Sequence, residues 1–469
     1  MTIAPPENAA GSDASPDGVR ASSRRFRVLM LSWYFPPVNT IGALRTGSLA
    51  RFLVERGHEI GVVAGSAWGQ PETLALGMEL ERVAYAPWFD VNAAPTALQK
   101  KLKQLLGRGA PITAAASPPP GDGSGGAAQS RKSTLRRASE LYVNVTNLPD
   151  NRIGWMPGAV RAALQMGRRW RPDLVFASGP PFSALLAARI VSSRLKLPWI
   201  AELRDRWADD PYGDGVYPPW RLKLDEWLER RVLATASGLV TVSEPWAEFY
   251  RQKYKKPVAT VYNGYDERDF PESAESPAGA PGPALVIGYT GGIYPGRRDP
   301  TPLFEAIRLL GPDAGRVRII FCGTDPSHVM PLAQRAGVGE MVEVRPSMPH
   351  AQSLEFQRQS DVLLLMQWND PREQGNCPGK FFEYVASLRP LMILGLADGV
   401  PATIARARSA GFFSNDPAEI MQQLRVWLEE KALRGSVAAL PPSAREGLSR
   451  RLQFERLERF LSDILPKSR

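Results

Sequence analysis

Short apolar runs separated by helical patterns recur along almost the whole chain, and this alternation limits the fold more than any other feature. RVLMLS at 27–32 reads as a strand, IGALRTGSLARFLVERG as a helix ending on its stop glycine, and EIGVVAG as the next strand. PDLVFASG (172–179), LPWIAEL (197–203), GLVTVS (238–243) and PVATVYNG (257–264) continue the series. A second series opens at ALVIGYTGG (284–292). It runs through VRIIFCG (317–323), MVEV (341–344), DVLLLM (361–366) and PLMILG (390–395). Strands that are apolar throughout and separated by helices imply parallel sheets covered on both faces. Two series imply an α/β chain of two doubly wound, Rossmann-like domains. The length of 469 residues, too great for one ordinary core, fits that division.

The expected organisation follows from composition along the chain. Residues 1–25 are polar with no apolar segment and read as a disordered tail. Residues 26–270 form the first domain, interrupted at about 108–132 by a stretch rich in Pro, Gly, Ala and Ser that reads as a mobile insertion. Residues 271–283 are the linker, 284–435 the second domain, and 436–469 a C-terminal amphipathic helix expected to pack back on the first domain.

Hydrophobic residues make up 43% and charged residues 23%, as in ordinary globular proteins. No apolar run reaches the length of a membrane-spanning helix. Two distant cysteines, Cys322 and Cys377, form neither a disulfide framework nor a zinc spacing, so a reducing cytoplasm is the expected location. With three histidines, histidine-based metal chemistry is not expected. The net charge of +10 directs attention to anionic substrates or an anionic membrane surface. No nucleic-acid motif accompanies it, so nucleic acid is not an expected partner.

Ligands of doubly wound sheets bind beyond the carboxyl ends of the strands, which here means the cleft between two facing domains. Several polar motifs sit at such positions. In GYTGGIYPGRRDPTPLFEAI (288–307), Gly291 and Gly292 allow close approach of backbone to a ligand, and Arg297 and Arg298 precede a helix. Guanidinium groups beside free helix N–H groups suit a diphosphate, and a flexible turn with two solvated arginines is the alternative. In NCPGKFFEYVASLRPLMILG (376–395), Phe381, Phe382, Val385 and Leu388 should face a core, leaving Lys380, Glu383 and Ser387 as a polar stripe. That stripe is either a solvated Lys–Glu pair or a phosphate- and ribose-binding edge. In YFPPVNTIGALR (34–45), Gly42 opens a helix and would let a ligand or the facing domain approach.

SGPPFS (178–183) and ELRDRWADD (202–210) gather charge at first-domain strand ends. Asp205 could orient an acceptor hydroxyl or take its proton, with a helix cap and salt bridge as the alternative. His58 reads as structural, and no histidine follows a first-domain strand to act as a base. TALQKKLKQLLGR (96–108) is amphipathic and basic. It would lie on an anionic membrane or pack on its own domain.

The segments LSWYFPPVNTIGALR, LPDNRIGWMPGAV, RDRWADD, VTVSEPWAEFY, VYNGYDERDF, GYTGGIYPGRRDP and PGKFFEYVASLRPLMILG, in this order and spacing, resemble the GT-B glycosyltransferases of the large retaining group that uses nucleotide-sugar donors. The resemblance spans about residues 26–465. It implies transfer of a sugar from a nucleoside diphosphate sugar to an acceptor hydroxyl, with no metal and no cofactor besides the donor substrate. The acceptor is expected to be lipid-linked or a cell-envelope polysaccharide, and the enzyme to sit in the cytoplasm or on the inner face of the plasma membrane.

By this resemblance Glu383 takes the ribose, and Arg298 falls where a phosphate-binding lysine is expected. The preceding basic position falls at Gly292, leaving Lys380 or Arg297 to supply the charge. A second family glutamate, eight residues before Glu383, helps hold the donor sugar, and here it is Gly375. Glu373 would replace it only if its loop bends. Lacking the histidine that many relatives carry near SGPPFS, the chain has Arg204 and Asp205 as its acceptor-side catalytic candidates. Two other readings remain open at this point, a GT-B sugar-nucleotide epimerase and a non-catalytic partner that has lost donor residues.

Overall fold

A computed structural model describes residues 24–66, 69–93, 137, 140–210, 216–270 and 279–466. The amphipathic segment at 96–108, the insertion at 108–132 and most of the linker and tail lie outside these residues.

The two apolar series form two wholly parallel sheets. The first contains β1 (Arg27–Ser32), β2 (Glu59–Gly65), β3 (Val83–Ala86), β4 (Leu174–Gly179), β5 (Trp199–Leu203), β6 (Gly238–Thr241) and β7 (Val258–Thr260), in the order β3-β2-β1-β4-β5-β6-β7. The second contains β8 (Leu285–Thr290), β9 (Val317–Cys322), β10 (Val342–Arg345), β11 (Val362–Met366), β12 (Leu391–Leu394) and β13 (Gly411–Phe413), in the order β10-β9-β8-β11-β12-β13. In each sheet the order reverses beside the first strand, which opens a crevice at the carboxyl ends.

Alternation along the strands divides each domain into two cores. Leu29 and Leu31 of β1 enter one and Val28 and Met30 the other. Leu363 and Leu365 of β11 are likewise separated from Val362 and Leu364. The edge strands β3 and β13 are absent from the sequence reading. They have four and three residues, and their exposed positions interrupt any apolar run.

In the first domain the described helices include α1 (Ile41–Glu55), α2 (Met156–Trp170), α3 (Ser183–Leu195), α4 (Pro219–Leu233) and α5 (Glu244–Tyr254). In the second they are α6 (Thr301–Leu309), α7 (Met330–Arg335), α8 (His350–Gln359), α9 (Gly379–Ala386), α10 (Val400–Ala407) and α11 (Pro417–Arg434). A further helix, α12 (Arg450–Ile464), crosses back to the first domain. Its Phe454, Leu457 and Leu461 complete the core that holds Val28 and Met30. The two chain crossings between domains pair with each other. The Arg450 N–H donates to the Tyr265 carbonyl (2.7 Å), and the Tyr265 N–H to the Leu448 carbonyl (3.2 Å).

Candidate active site

A cleft with a cavity of about 570 Å³ lies between the domains, at the carboxyl ends of both sheets. The first domain lines it with Asn39, Ile41, Leu44, Arg45 and Asn263. The opposite wall is the loop after β8 and the first turns of α8 and α9.

The α9 wall follows from its sequence pattern. Phe381, Phe382, Val385 and Leu388 are buried and anchor the helix against the sheet. Lys380 and Glu383 face the cleft, while Ser387 is buried and donates to the Glu383 carbonyl at 2.9 Å. Pro378 precedes the helix and supplies no capping oxygen, so the first-turn N–H groups at Gly379 and Lys380 border the cavity without a side-chain cap. Tyr384 fixes the helix to β8, its hydroxyl accepting from the Thr290 N–H at 2.8 Å.

Lys380 Nζ donates to the Thr290 carbonyl at 2.6 Å and lies 4.1 Å from the Tyr289 ring centroid. Burial, with the charge of Arg298 added, lowers its pKa to about 7. A carbonyl and a ring face do not neutralise an ammonium, so an entering anion would meet a poised cation. Gly291, with φ of +102°, puts its Cα beside that amine. A Cβ there would stand 3.0 Å from Nζ. Gly292 is open, and its carbonyl accepts from Arg298 Nη1 at 2.9 Å. Arg298 also covers the Tyr294 ring and Arg297 the Trp368 ring. Both arginines therefore stand behind the glycine loop rather than in the cavity lining.

Glu383 Oε1 meets His350 Nε2 at 3.2 Å, and Oε2 accepts from Gln357 at 3.5 Å. The hydrogen bond to Glu383 raises the His350 pKa. His350 follows β10, so the strand-end rule that singles out the other motifs also points to it.

Gly42 and Arg204 are packed against each other, with Asp205 next to them in the loop after β5. Gly42 is outside the cleft lining. The space left by its missing side chain is filled by Arg204, whose Nη1 would be 2.6 Å from a Cβ. Arg204 also bonds the Pro180 carbonyl, and its Nε is buried without an acceptor. It acts as a strut between the β5 end and α1, and burial lowers its pKa. Asp205, next in the loop, is exposed. Desolvation still raises its carboxyl pKa, with Arg204 pulling the other way.

Nearby, Arg45 and Glu202 form a buried pair (2.8 Å), with Ser178 Oγ on the other carboxylate oxygen. This pair joins α1, β4 and β5 behind the cleft.

Gly375 has φ of +93°, and a Cβ there would lie 2.1 Å from the Trp246 ring. Trp246 is on α5 of the first domain, and its Nε1 donates to the Gln374 carbonyl at 3.1 Å. The indole fills the place of any side chain at this position. Glu373 does not substitute. It is buried, and its Oε1 accepts from Asn376 at 2.7 Å within its own loop.

Residues 42–265 match the family described as glycosyl transferase 4-like domain. Nearly half of the chain thus resembles a glycosyl transferase 4-like domain, and its two facing parallel-sheet domains have the GT-B fold. Solved GT-B proteins share its fold over most of its length at low identity. HepE from Anabaena, solved with UDP and glucose, is 14% identical, with a TM-score of 0.57 over 94% of this chain and 100% of that one. Sucrose-phosphate synthase from Thermosynechococcus elongatus has 13% identity and a TM-score of 0.57 over the same shares. WaaG, a glycosyltransferase involved in lipopolysaccharide biosynthesis, has 13% identity and a TM-score of 0.52, again over 94% and 100%. Among curated proteins, none matches the sequence. In this GT-B fold, Lys380 and Glu383 share the wall of the interdomain cleft.

Proposed function

We propose that this protein is a glycosyltransferase that moves a sugar from a nucleoside diphosphate sugar to an acceptor hydroxyl. The observation that carries the reading is the α9 edge, where Lys380, two uncapped N–H groups and Glu383 border one cavity beside the Gly291 loop. The diphosphate lies against Lys380 and the helix terminus. The ribose hydroxyls donate to Glu383, replacing His350 and Gln357. In the transfer, the acceptor oxygen bonds the anomeric carbon, and the bond from that carbon to the diphosphate oxygen breaks. Lys380 and the amides stabilise the negative charge that builds on the diphosphate. This reading assigns the acceptor proton to Asp205, and gives Arg204 the role of positioning its loop. No metal is assigned a role in it.

A nucleotide panel tests the donor site. One of UDP, GDP, ADP, TDP or CMP should raise the melting temperature of the wild type, and the shift should vanish in Glu383→Ala. A ligand at about 100 times its Kd contributes roughly 2.7 kcal/mol. The absence of any shift in folded protein would favour the non-catalytic reading, which the Trp246–Gly375 contact alone supports.

For the acceptor, a second cavity of about 390 Å³ opens at the ends of β4 and β5. Phe182 and Trp207 stack there with centroids 4.9 Å apart, beside Asp150, Asp210 and Asp225. Ring faces and carboxylates suit a sugar's C–H faces and hydroxyls. Elsewhere on this domain Leu141, Val145, Val216, Trp220 and Trp227 are exposed, with Lys223, Arg230 and Arg231 on α4. This surface suits peripheral contact with an anionic membrane carrying a lipid-linked or polymeric cell-envelope acceptor. No described helix is long and apolar enough to cross a membrane. Trp220→Ser with Trp227→Ser should abolish flotation with anionic liposomes. Unchanged flotation would remove the membrane from the proposal.

A further inference from the structure

A cavity of about 660 Å³, separate from the cleft, sits against the paired chain crossings. One wall is α1 of the first domain. The others are the outgoing crossing at 265–270 and the returning one at 445–451. Six arginines and three carboxylates line it. Two of the arginines are committed elsewhere, Arg56 to Glu458 at 3.0 Å and Arg451 to Glu455 at 3.4 Å. Arg51, Arg268, Arg445 and Arg450 remain.

Arg450 is held by the Asn263 and Gly264 carbonyls, each at 3.3 Å, whereas Arg51 and Arg445 are short of acceptors. Asp266 serves Arg268 and Arg450 together, and they hold its carboxyl down at about 2, so it stays ionised. Arg445 has a single long bond, to the Phe270 carbonyl at 3.4 Å. Arg51 has none. Its nearest carboxylate oxygens, on Glu55 and Asp266, stand at 3.6 and 3.8 Å, though its side chain is only 16% exposed. A guanidinium carries five donors, and leaving them unfilled away from water costs free energy. Burial and the nearby charge of Arg268 lower the Arg51 pKa.

We propose that this hinge cavity is a second anion site, for a phosphorylated small molecule of about sugar-phosphate size. A phosphate monoester offers three oxygens in different directions, which suits Arg51, Arg268 and Arg445 converging from separate segments. The rings of Phe52, Tyr265, Phe270 and Phe454 wall the remaining space. Such a ligand would bridge α1 to both crossings and fix the angle between domains. Arg450 lines this cavity and the cleft alike, so occupancy of one is felt at the other.

Isothermal titration of the full chain with inorganic phosphate and with a hexose 6-phosphate, at constant ionic strength, tests the site. Lys380→Ala, which alters the cleft, should still bind the hexose phosphate. Arg51→Gln with Arg268→Gln should bind it at least tenfold more weakly, and the exposed Arg268→Gln alone, which leaves the packing intact, should weaken it measurably. No binding to wild type, binding lost in Lys380→Ala, or binding unchanged in both arginine variants overturns the proposal. Titrating UDP with and without the hexose phosphate tests the coupling. A change in UDP affinity of twofold or more, absent in the double variant, supports it, and equal affinities overturn the link between the cavities.

Discussion

Lys380→Ala should weaken nucleoside diphosphate binding by about ten- to hundredfold, the value of a charge-assisted hydrogen bond of roughly 1.5–3 kcal/mol. Transfer should fall further, by about 10²–10³ in kcat, because the charge on the leaving diphosphate grows in the transition state. The pH dependence separates this lysine from a merely structural one. The free enzyme's Lys380 titrates at about 7, so below that pH the amine is already charged and binding gains nothing from further acidification. Above it the amine is neutral, and binding a diphosphate must take up a proton. For a nucleoside diphosphate sugar, whose diphosphate has no proton to gain near neutrality, the Lys380 contribution should be level below pH 7 and fall by up to tenfold per unit as pH rises through 7, until the pKa of the bound complex is passed. Titration calorimetry in buffers of different ionisation enthalpy reads the proton uptake directly. In Lys380→Ala both the uptake and the fall should disappear. An unchanged profile would remove Lys380 from the diphosphate site.

Lys431→Met should destabilise the second domain by about 3–5 kcal/mol, the effect of stranding one member of a buried ion pair. Lys431 Nζ is 2.9 Å from Asp361 Oδ1, and neither side chain is more than 1% exposed. Asp361 also accepts from the Val286 N–H at 2.9 Å, so it ties α11, β8 and β11 together where the linker enters the domain. Without the ammonium, the carboxylate must stay charged in a dry core or take up a proton. Lys431→Met with Asp361→Asn should recover most of the loss, because the amide oxygen keeps the Val286 bond and the buried Arg389 keeps the Arg358 and Val437 carbonyls. Urea denaturation followed with several probes is the measurement, since a two-domain chain need not unfold in one step. A loss below about 1 kcal/mol would mean that Arg389, whose charge also acts on Asp361, compensates alone.

The parallel sheets were legible because their strands are buried on both faces and so read as unbroken apolar runs. The edge strands β3 and β13, part-exposed and short, carry no such mark. The α9 stripe was legible in part. Its apolar spacing separated Lys380 and Glu383 from the core, but Ser387 lies one turn too deep and bonds its own helix. Partners that meet only through the tertiary fold were not legible. His350 and Glu383 are 33 residues apart, and Trp246 and Gly375 lie in different domains. Gly42 was identified as a position that must be empty, yet its neighbour Arg204 occupies the gap, and one-dimensional spacing cannot distinguish a ligand from an internal guanidinium.

The return of α12 to the first domain has a consequence for synthesis. The ribosome releases β1 through β7 long before it releases Phe454, Leu457 and Leu461, and until then one face of the first sheet has α1 but lacks the rest of its cover. The first domain must wait, with apolar surface open, while about 180 further residues of the second domain emerge, at roughly 5–20 residues per second. The nascent chain therefore passes through an interval of about ten to forty seconds in which a holding chaperone would have most to bind.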